Sequence, residues 1–192
     1  MAVVNAGYVY DVELLQRIGC VRPDVAVEHF EVAELSDRFE ALTLREREDT
    51  VEFERLCDAV LQRYKCAVEI SKFHPAELAN LYVTDTTADF LRSVEQAKDI
   101  TDDLWTGVLD KLAENVTESY ARLHLNYLNP LVRRISELSD REVQKRCIEM
   151  LYVQALLLGH FPLKQNEVKL LNEGLLGLLD VVVDLQGGAD RE

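Results

Sequence analysis

Gln165-Asn166-Glu167-Val168-Lys169-Leu170-Leu171-Asn172-Glu173-Gly174-Leu175-Leu176-Gly177-Leu178-Leu179-Asp180-Val181-Val182-Val183-Asp184-Leu185 is the stretch that decides the fold. Val168, Leu171, Leu175, Leu178, Val182 and Leu185 recur at spacings of 3, 4, 3, 4 and 3. That is the alternation of a and d positions that packs one helix along another. Leu170, Leu176 and Leu179 widen the seam, so one helix offers two apolar faces. A terminal helix seldom buries two faces against its own domain alone. The spacing therefore predicts an intersubunit contact, and an assembly module rather than a catalyst.

Working outward from that helix, Gly159-His160-Phe161-Pro162 is a helix stop. Ser139-Asp140-Arg141-Glu142 reads as a capping box opening a long helix before it. Asn129-Pro130 pairs an N-cap with proline at the first helical position and opens a short helix to Leu138. Leu123, Leu125 and Tyr127 alternate with His124 and Asn126, the period of a strand. Val68 and Ile70 alternate with Glu69 and Ser71, and Leu81-Tyr82-Val83 is a third short strand beyond the break at His74-Pro75. Thr50 reads as the cap of a helix over 50–64, with Phe53, Leu56, Cys57, Val60 and Leu61 on one face. Residues 86–98 are helical in pattern. Thr101, with Asp102 and Asp103 at the positive end of a helix dipole, opens another helix carrying Trp105, Val108, Leu109, Leu112 and Val116. The expected class is α+β: a small three-stranded sheet packed with helices and ending in a helical hairpin.

Residues 1–45 hold a candidate strand at Val3-Val4, a helix over 11–18 ended by Gly19, a strand over 25–30 and a helix over 34–42. These are too few elements to enclose a core of their own. The charged stretch Leu44-Arg45-Glu46-Arg47-Glu48-Asp49-Thr50 is the predicted boundary, giving units 1–45 and 46–192. The last six residues, from Gly187, read as a disordered tail.

Composition narrows the function classes. The chain is 48% hydrophobic, enough for a real core, and its 21 basic against 35 acidic residues give −14. An acidic surface repels phosphate, so nucleic acid and anionic membranes are not expected partners. No apolar run is long enough for a membrane span, and residues 1–10 do not read as a signal peptide. Cys20, Cys57, Cys66 and Cys147 lack disulfide or zinc spacing. The expectation is a cytoplasmic protein with reduced thiols, in which the sequon Asn115-Val116-Thr117 is a chance match. No GxGxxG, GxxxxGK[ST], HExxH or GxSxG motif occurs. His29, His74, His124 and His160 sit on separate elements. No catalytic, cofactor-binding or metal-ligating set is predicted.

Three segments carry a family resemblance. Leu123-His124-Leu125-Asn126-Tyr127-Leu128-Asn129-Pro130-Leu131-Val132-Arg133-Arg134 resembles the strand-to-helix segment in the C-terminal domain of the ninety-kilodalton heat-shock chaperones. Leu151-Tyr152-Val153-Gln154-Ala155-Leu156-Leu157-Leu158-Gly159 resembles the helix that follows it, with its QALL sequence, and residues 170–179 resemble the last helix. The opening, residues 3–11, is similar to a divergent bacterial branch of that family, related to high-temperature protein G. The resemblance covers most of the chain and is strongest over 121–180.

The resemblance implies a role. In that family the last two helices of each subunit form a four-helix bundle that holds the chaperone as a constitutive homodimer. On this implication Met150, Leu151, Leu157 and Leu158 join Val168, Leu171, Leu175, Leu178 and Val182 at the dimer interface. Phe90 and Leu91 read from the residues as core, or as an exposed patch beside the polar Arg92, Ser93, Glu95 and Gln96; the resemblance sets their segment where the family has an exposed amphipathic helix that meets unfolded or partly folded clients. A helix inserted between Lys98 and Ser119 departs from the better-known bacterial members and adds Trp105 as a third candidate client contact. ATP and Mg would belong to an N-terminal domain outside this chain. Residues 1–45 would be the tail of the middle domain, and the whole a fragment starting at Met1. The acidic pentapeptide that recruits co-chaperones is absent. The expectation is thus a homodimerisation and client-contact module of an ATP-dependent chaperone that assists protein folding under stress, with no enzymatic activity of its own. A stand-alone dimeric adapter without ATPase is the alternative, and an enzyme with a folded-together site the third reading.

Overall fold

The strands predicted by alternation form one mixed sheet, and the chain is α+β. The computed structural model describes residues 10–27, 36, 38–100 and 121–189. Among these the order is α1 (Asp11–Val21), α2 (Leu44–Leu61), a 3-10 turn (Gln62–Tyr64), β1 (Cys66–Ser71), β2 (Asn80–Val83), α3 (Thr86–Ile100), β3 (Ala121–Asn126), α4 (Pro130–Ser136), α5 (Arg141–Leu158) and α6 (Gln165–Ala189). The last strand to form in sequence lies in the middle. β3 runs parallel to β1, with Val68 beside Leu123, and antiparallel to β2, with Tyr82 beside Leu123. Central position explains why Leu123 and Leu125 are fully buried. Their face of the sheet meets Phe53, Cys57 and Leu61 of α2 and Ile148, Leu151, Tyr152 and Leu156 of α5 in one core.

The outer edge of β1 is covered rather than open. The Val68 amide donates to the Asp58 carboxylate at 2.8 Å, and the Ile70 amide to the Glu54 carboxylate. Lys72 exchanges both backbone hydrogen bonds with Glu40. Alternate amides of an edge strand point outward, and carboxylates from a helix answer them here, which blocks pairing with another chain.

Several boundaries differ from expectation. Thr43, not Thr50, caps α2. Its hydroxyl accepts from the Glu46 amide while the Glu46 carboxylate accepts from the Thr43 amide at 2.8 Å, a capping box. The charged stretch is therefore the first two turns of α2, and the predicted boundary after residue 45 falls inside a helix. Thr50 is buried in that helix, its hydroxyl bonded back to the Glu46 carbonyl. The helix stops at Leu61 and tightens into the 3-10 turn. Residues 39–42 are not helical, because Glu40 pairs with Lys72 and Phe39 stacks on Phe73 at 4.5 Å. Residues 25–27 form no strand, and 28–30 lie outside the described residues, as do Val3-Val4 and the whole helix with Trp105. Gly19 lies within α1. Asp140 rather than Ser139 caps α5, accepting from Glu142 and Val143. α6 runs on through Gly187 and Gly188 to Ala189 instead of fraying.

Candidate dimerisation surface and the ionic clasp beneath it

α5 and α6 form an antiparallel hairpin, and two glycines set their closeness. A Cβ on Gly174 would lie 2.2 Å from the Met150 methyl and 2.6 Å from its sulfur. A Cβ on Gly177 would lie 3.1 Å from the Arg146 guanidinium. Small residues on one face let the helix backbone approach its neighbour. That face continues upward through Leu171, Leu170 and Glu167, which pack against the core or are buried.

The predicted seam is consequently split. Leu171 belongs to the inner face, whereas Val168 and Leu175 point outward at 44% and 51% exposure. Leu176, Leu179 and Val183 are exposed as well. Together these five give α6 an outer apolar stripe that nothing among the described residues covers. The side chains of Leu178, Val182 and Leu185 lie outside the described set. On α5, Leu157 and Leu158 are exposed and Met150 is half-buried beneath Gly174. Leu151 is a correction: it is buried in the chain's own core, on the face of α5 that also carries Ile148, Tyr152 and Ala155, and offers nothing to a partner.

α3 needs a similar correction. Leu91 is buried with Ala88 and Val94, so the apolar face of this helix is turned inward. Phe90 alone of the pair is exposed, at 43%. Trp105 lies outside the described residues.

Between α3 and the hairpin sits a buried polar cluster that sequence reasoning missed. Arg92 donates to both carboxylate oxygens of Glu167, at 2.9 and 2.7 Å, and to the Pro162 carbonyl at 2.8 Å. The Tyr152 hydroxyl donates to Glu167 at 2.6 Å, and the Lys164 amide at 2.8 Å. Glu167 thus opens α6 from outside the solvent, fully buried, with Arg92 only 7% exposed. A second tier lies beside it, where Lys164 and Lys65 both pair with Glu95 of α3. Burial by itself raises the Glu167 carboxyl pKa; the Arg92, Tyr152 and Lys164 hydrogen bonds outweigh it and leave the pKa below its ordinary value. Burial and the adjacent Glu167 charge push the Tyr152 hydroxyl far above its own. The only readable signal was compositional: a glutamate in phase with Leu170, Leu171 and Gly174, and an arginine between Leu91 and Val94.

A lowered carboxyl pKa fixes the sign of a pH effect. Glu167 is bound in its charged form, so its contribution to stability is complete above the unfolded carboxylate range, near about 4.3, and is lost as pH falls through the lower folded value. Melting temperature should therefore fall between about pH 6 and about pH 3. A variant with Arg92→Met and Glu167→Leu should show a shallower decline over the same range, and an equal decline would remove Glu167 from the account.

Among the described residues no helix is long and apolar enough to cross a membrane, and no group of histidine, cysteine and carboxylate side chains is placed to hold a metal ion. The chain matches no family model and no curated protein.

Proposed function

We propose that this chain is a homodimerisation module, and that it serves an ATP-dependent chaperone of the ninety-kilodalton heat-shock family. The observation that carries the first part is the outer stripe of α6: Val168, Leu175, Leu176, Leu179 and Val183, each between 44% and 66% exposed in the single chain. Full burial of such a side chain contributes on the order of 1.5–3 kcal/mol, of which about half is still available here. Ten side chains across a symmetric contact would supply on the order of 10 kcal/mol, against an association cost of about 4–15 kcal/mol. The stripe alone supports a weak dimer, and further apolar residues of the hairpin such as Leu157 and Leu158 bring it into the stable range. The second part rests on the resemblance over 121–180. Among the described residues Phe90 is the exposed candidate for a client contact, each dimer presenting two, with avidity compensating for small single contacts.

The test is sedimentation across a dilution series. The parent chain should sediment as a dimer at tens of micromolar concentration and dissociate on dilution. Leu175→Asp with Leu179→Asp places four charges in the contact and should give monomers with an unchanged circular dichroism spectrum, since both positions are exposed in the single chain. A dimeric double variant would disprove this surface. A stable dimer that lends no help to client folding in its full-length context would favour the adapter reading.

A further inference from the structure

The sheet face turned away from the hairpin carries unanswered polar groups beside a cleft. The cleft, about 350 Å³, runs along the outer edge of β1 between the first turns of α2 and the segment around Phe39. Ser71 lines it, and its buried hydroxyl has no hydrogen-bond partner among the described residues. On the adjoining strand His124 stands beside Glu69 in the parallel register. Its ring is 2% exposed, neither nitrogen has a hydrogen-bond partner among the described residues, and Nδ1 is 3.9 Å from the Glu69 carboxylate. Phe39 closes over that ring edge-on at 5.2 Å. Buried polar atoms are nearly always answered, so an orphaned hydroxyl in a cleft wall marks a place where something else supplies the partner.

The remaining lining says what that something is. Glu54 and Glu69 bring two carboxylates, Arg47 at the rim brings one guanidinium, and Phe39 and Leu42 bring apolar walls. Glu54 is already committed to the Ile70 amide, and burial, helped by the Asp58 and Glu69 charges, raises its pKa. A cationic group between the two glutamates would relieve that repulsion, and an anionic group would suit Arg47. The volume is at the small end of ligand pockets, which start at about 300 Å³. We propose that this cleft binds a small zwitterion with an apolar substituent, an α-amino acid, with its ammonium toward Glu54, Glu69 and the Ser71 hydroxyl, its carboxylate toward Arg47, and its side chain against Phe39 and Leu42. The site lies across the sheet from the α6 stripe and does not depend on dimerisation.

The test is a titration of isotope-labelled chain with L-leucine, followed by backbone amide shifts. Ser71, Glu69 and Phe39 should shift saturably, with a dissociation constant in the range of about 0.1–10 mM. N-acetyl-L-leucine lacks the ammonium and L-leucinamide the carboxylate; each should bind at least about tenfold more weakly. Ser71→Ala should weaken L-leucine by about tenfold while melting no lower than the parent, because it removes a buried hydroxyl that no described group answers. Arg47→Gln, at the exposed rim, should weaken L-leucine without affecting L-leucinamide, and serves if Ser71→Ala fails to fold. Shifts that stay linear to about 100 mM, equal binding of all three probes, or full affinity in both variants would each overturn the site and leave the cleft to water.

Discussion

Glu167→Ala should be the most damaging single substitution in the hairpin. It removes the carboxylate that pairs with Arg92, whose guanidinium is held in the interior at 7% exposure. The Tyr152 hydroxyl and the Lys164 amide lose their acceptor at the same time. Removing one partner of a buried ion pair costs about 3–5 kcal/mol, since the other charge stays desolvated and unpaired. For a domain whose whole stability is about 5–15 kcal/mol this is about a fifth or more. The melting temperature should fall by roughly 6–20 °C at about 2–4 °C per kcal/mol for a chain of this size.

The pair's net worth is a separate quantity. Two charges desolvated to meet each other can be matched by two apolar side chains of similar volume. Arg92→Met with Glu167→Leu, together with Tyr152→Phe to remove the stranded hydroxyl, should therefore recover most of the loss. Denaturant midpoints of the single, double and triple variants decide this. A Glu167→Ala variant within about 1 kcal/mol of the parent, the range of exposed pairs, would show that the clasp is solvated in solution. What the clasp contributes beyond stability is placement. It joins α3, which carries Phe90, to the first turn of α6, which carries the proposed contact stripe, so the two surfaces hold a fixed relation.

Legibility followed the range of the interaction involved. β1, β2 and β3 were readable because alternation is local and each strand has a buried and an opposite face. The cap at Asn129-Pro130 was readable for the same reason. The Thr43–Glu46 box is equally local, but the charges of residues 44–50 mimic a boundary; Thr-x-x-Glu ahead of an amphipathic run outweighs composition. The seam of α6 has the expected period, but Leu171 packs inward while Val168 and Leu175 face out. Leucines alone do not say which side packs closely, whereas Gly174 and Gly177, three apart, mark the side that meets α5. The clasp was out of reach, since Arg92, Tyr152 and Glu167 come from three helices that only the fold assembles. Leu91 lies in the core with Ala88 and Val94, and the polar Arg92 beside it also turns inward, onto Glu167.

Asn126→Ala should be the second large loss, and it tests what the most family-like segment does. Asn126 is fully buried at the end of β3. Its Oδ1 accepts from the Phe73 amide at 3.2 Å and the Leu128 amide at 3.0 Å. Its Nδ2 donates to the Phe73 carbonyl at 2.8 Å and the Leu78 carbonyl at 2.9 Å. Residues 73–79 have no ladder to satisfy these groups, so one side chain does the work of a strand partner. Alanine leaves several buried backbone groups unanswered at about 1–3 kcal/mol each, and allowing for partial rescue by water the loss should be about 3–4 kcal/mol. Asn126→Asp should be worse near neutral pH, because an acceptor then faces the two carbonyls that Nδ2 served, and it should improve on acidification as the carboxyl gains a proton. Asn129 makes a milder comparison. It bonds the Ala76 and Glu77 carbonyls and caps α4, and its replacement by alanine should cost about 1–2 kcal/mol. The order of urea midpoints, parent above Asn129→Ala above Asn126→Ala, is the measurement. Equal midpoints for the two alanine variants would contradict it. The expected order would mean that both asparagines of Leu123-His124-Leu125-Asn126-Tyr127-Leu128-Asn129-Pro130 are held in place by the fold.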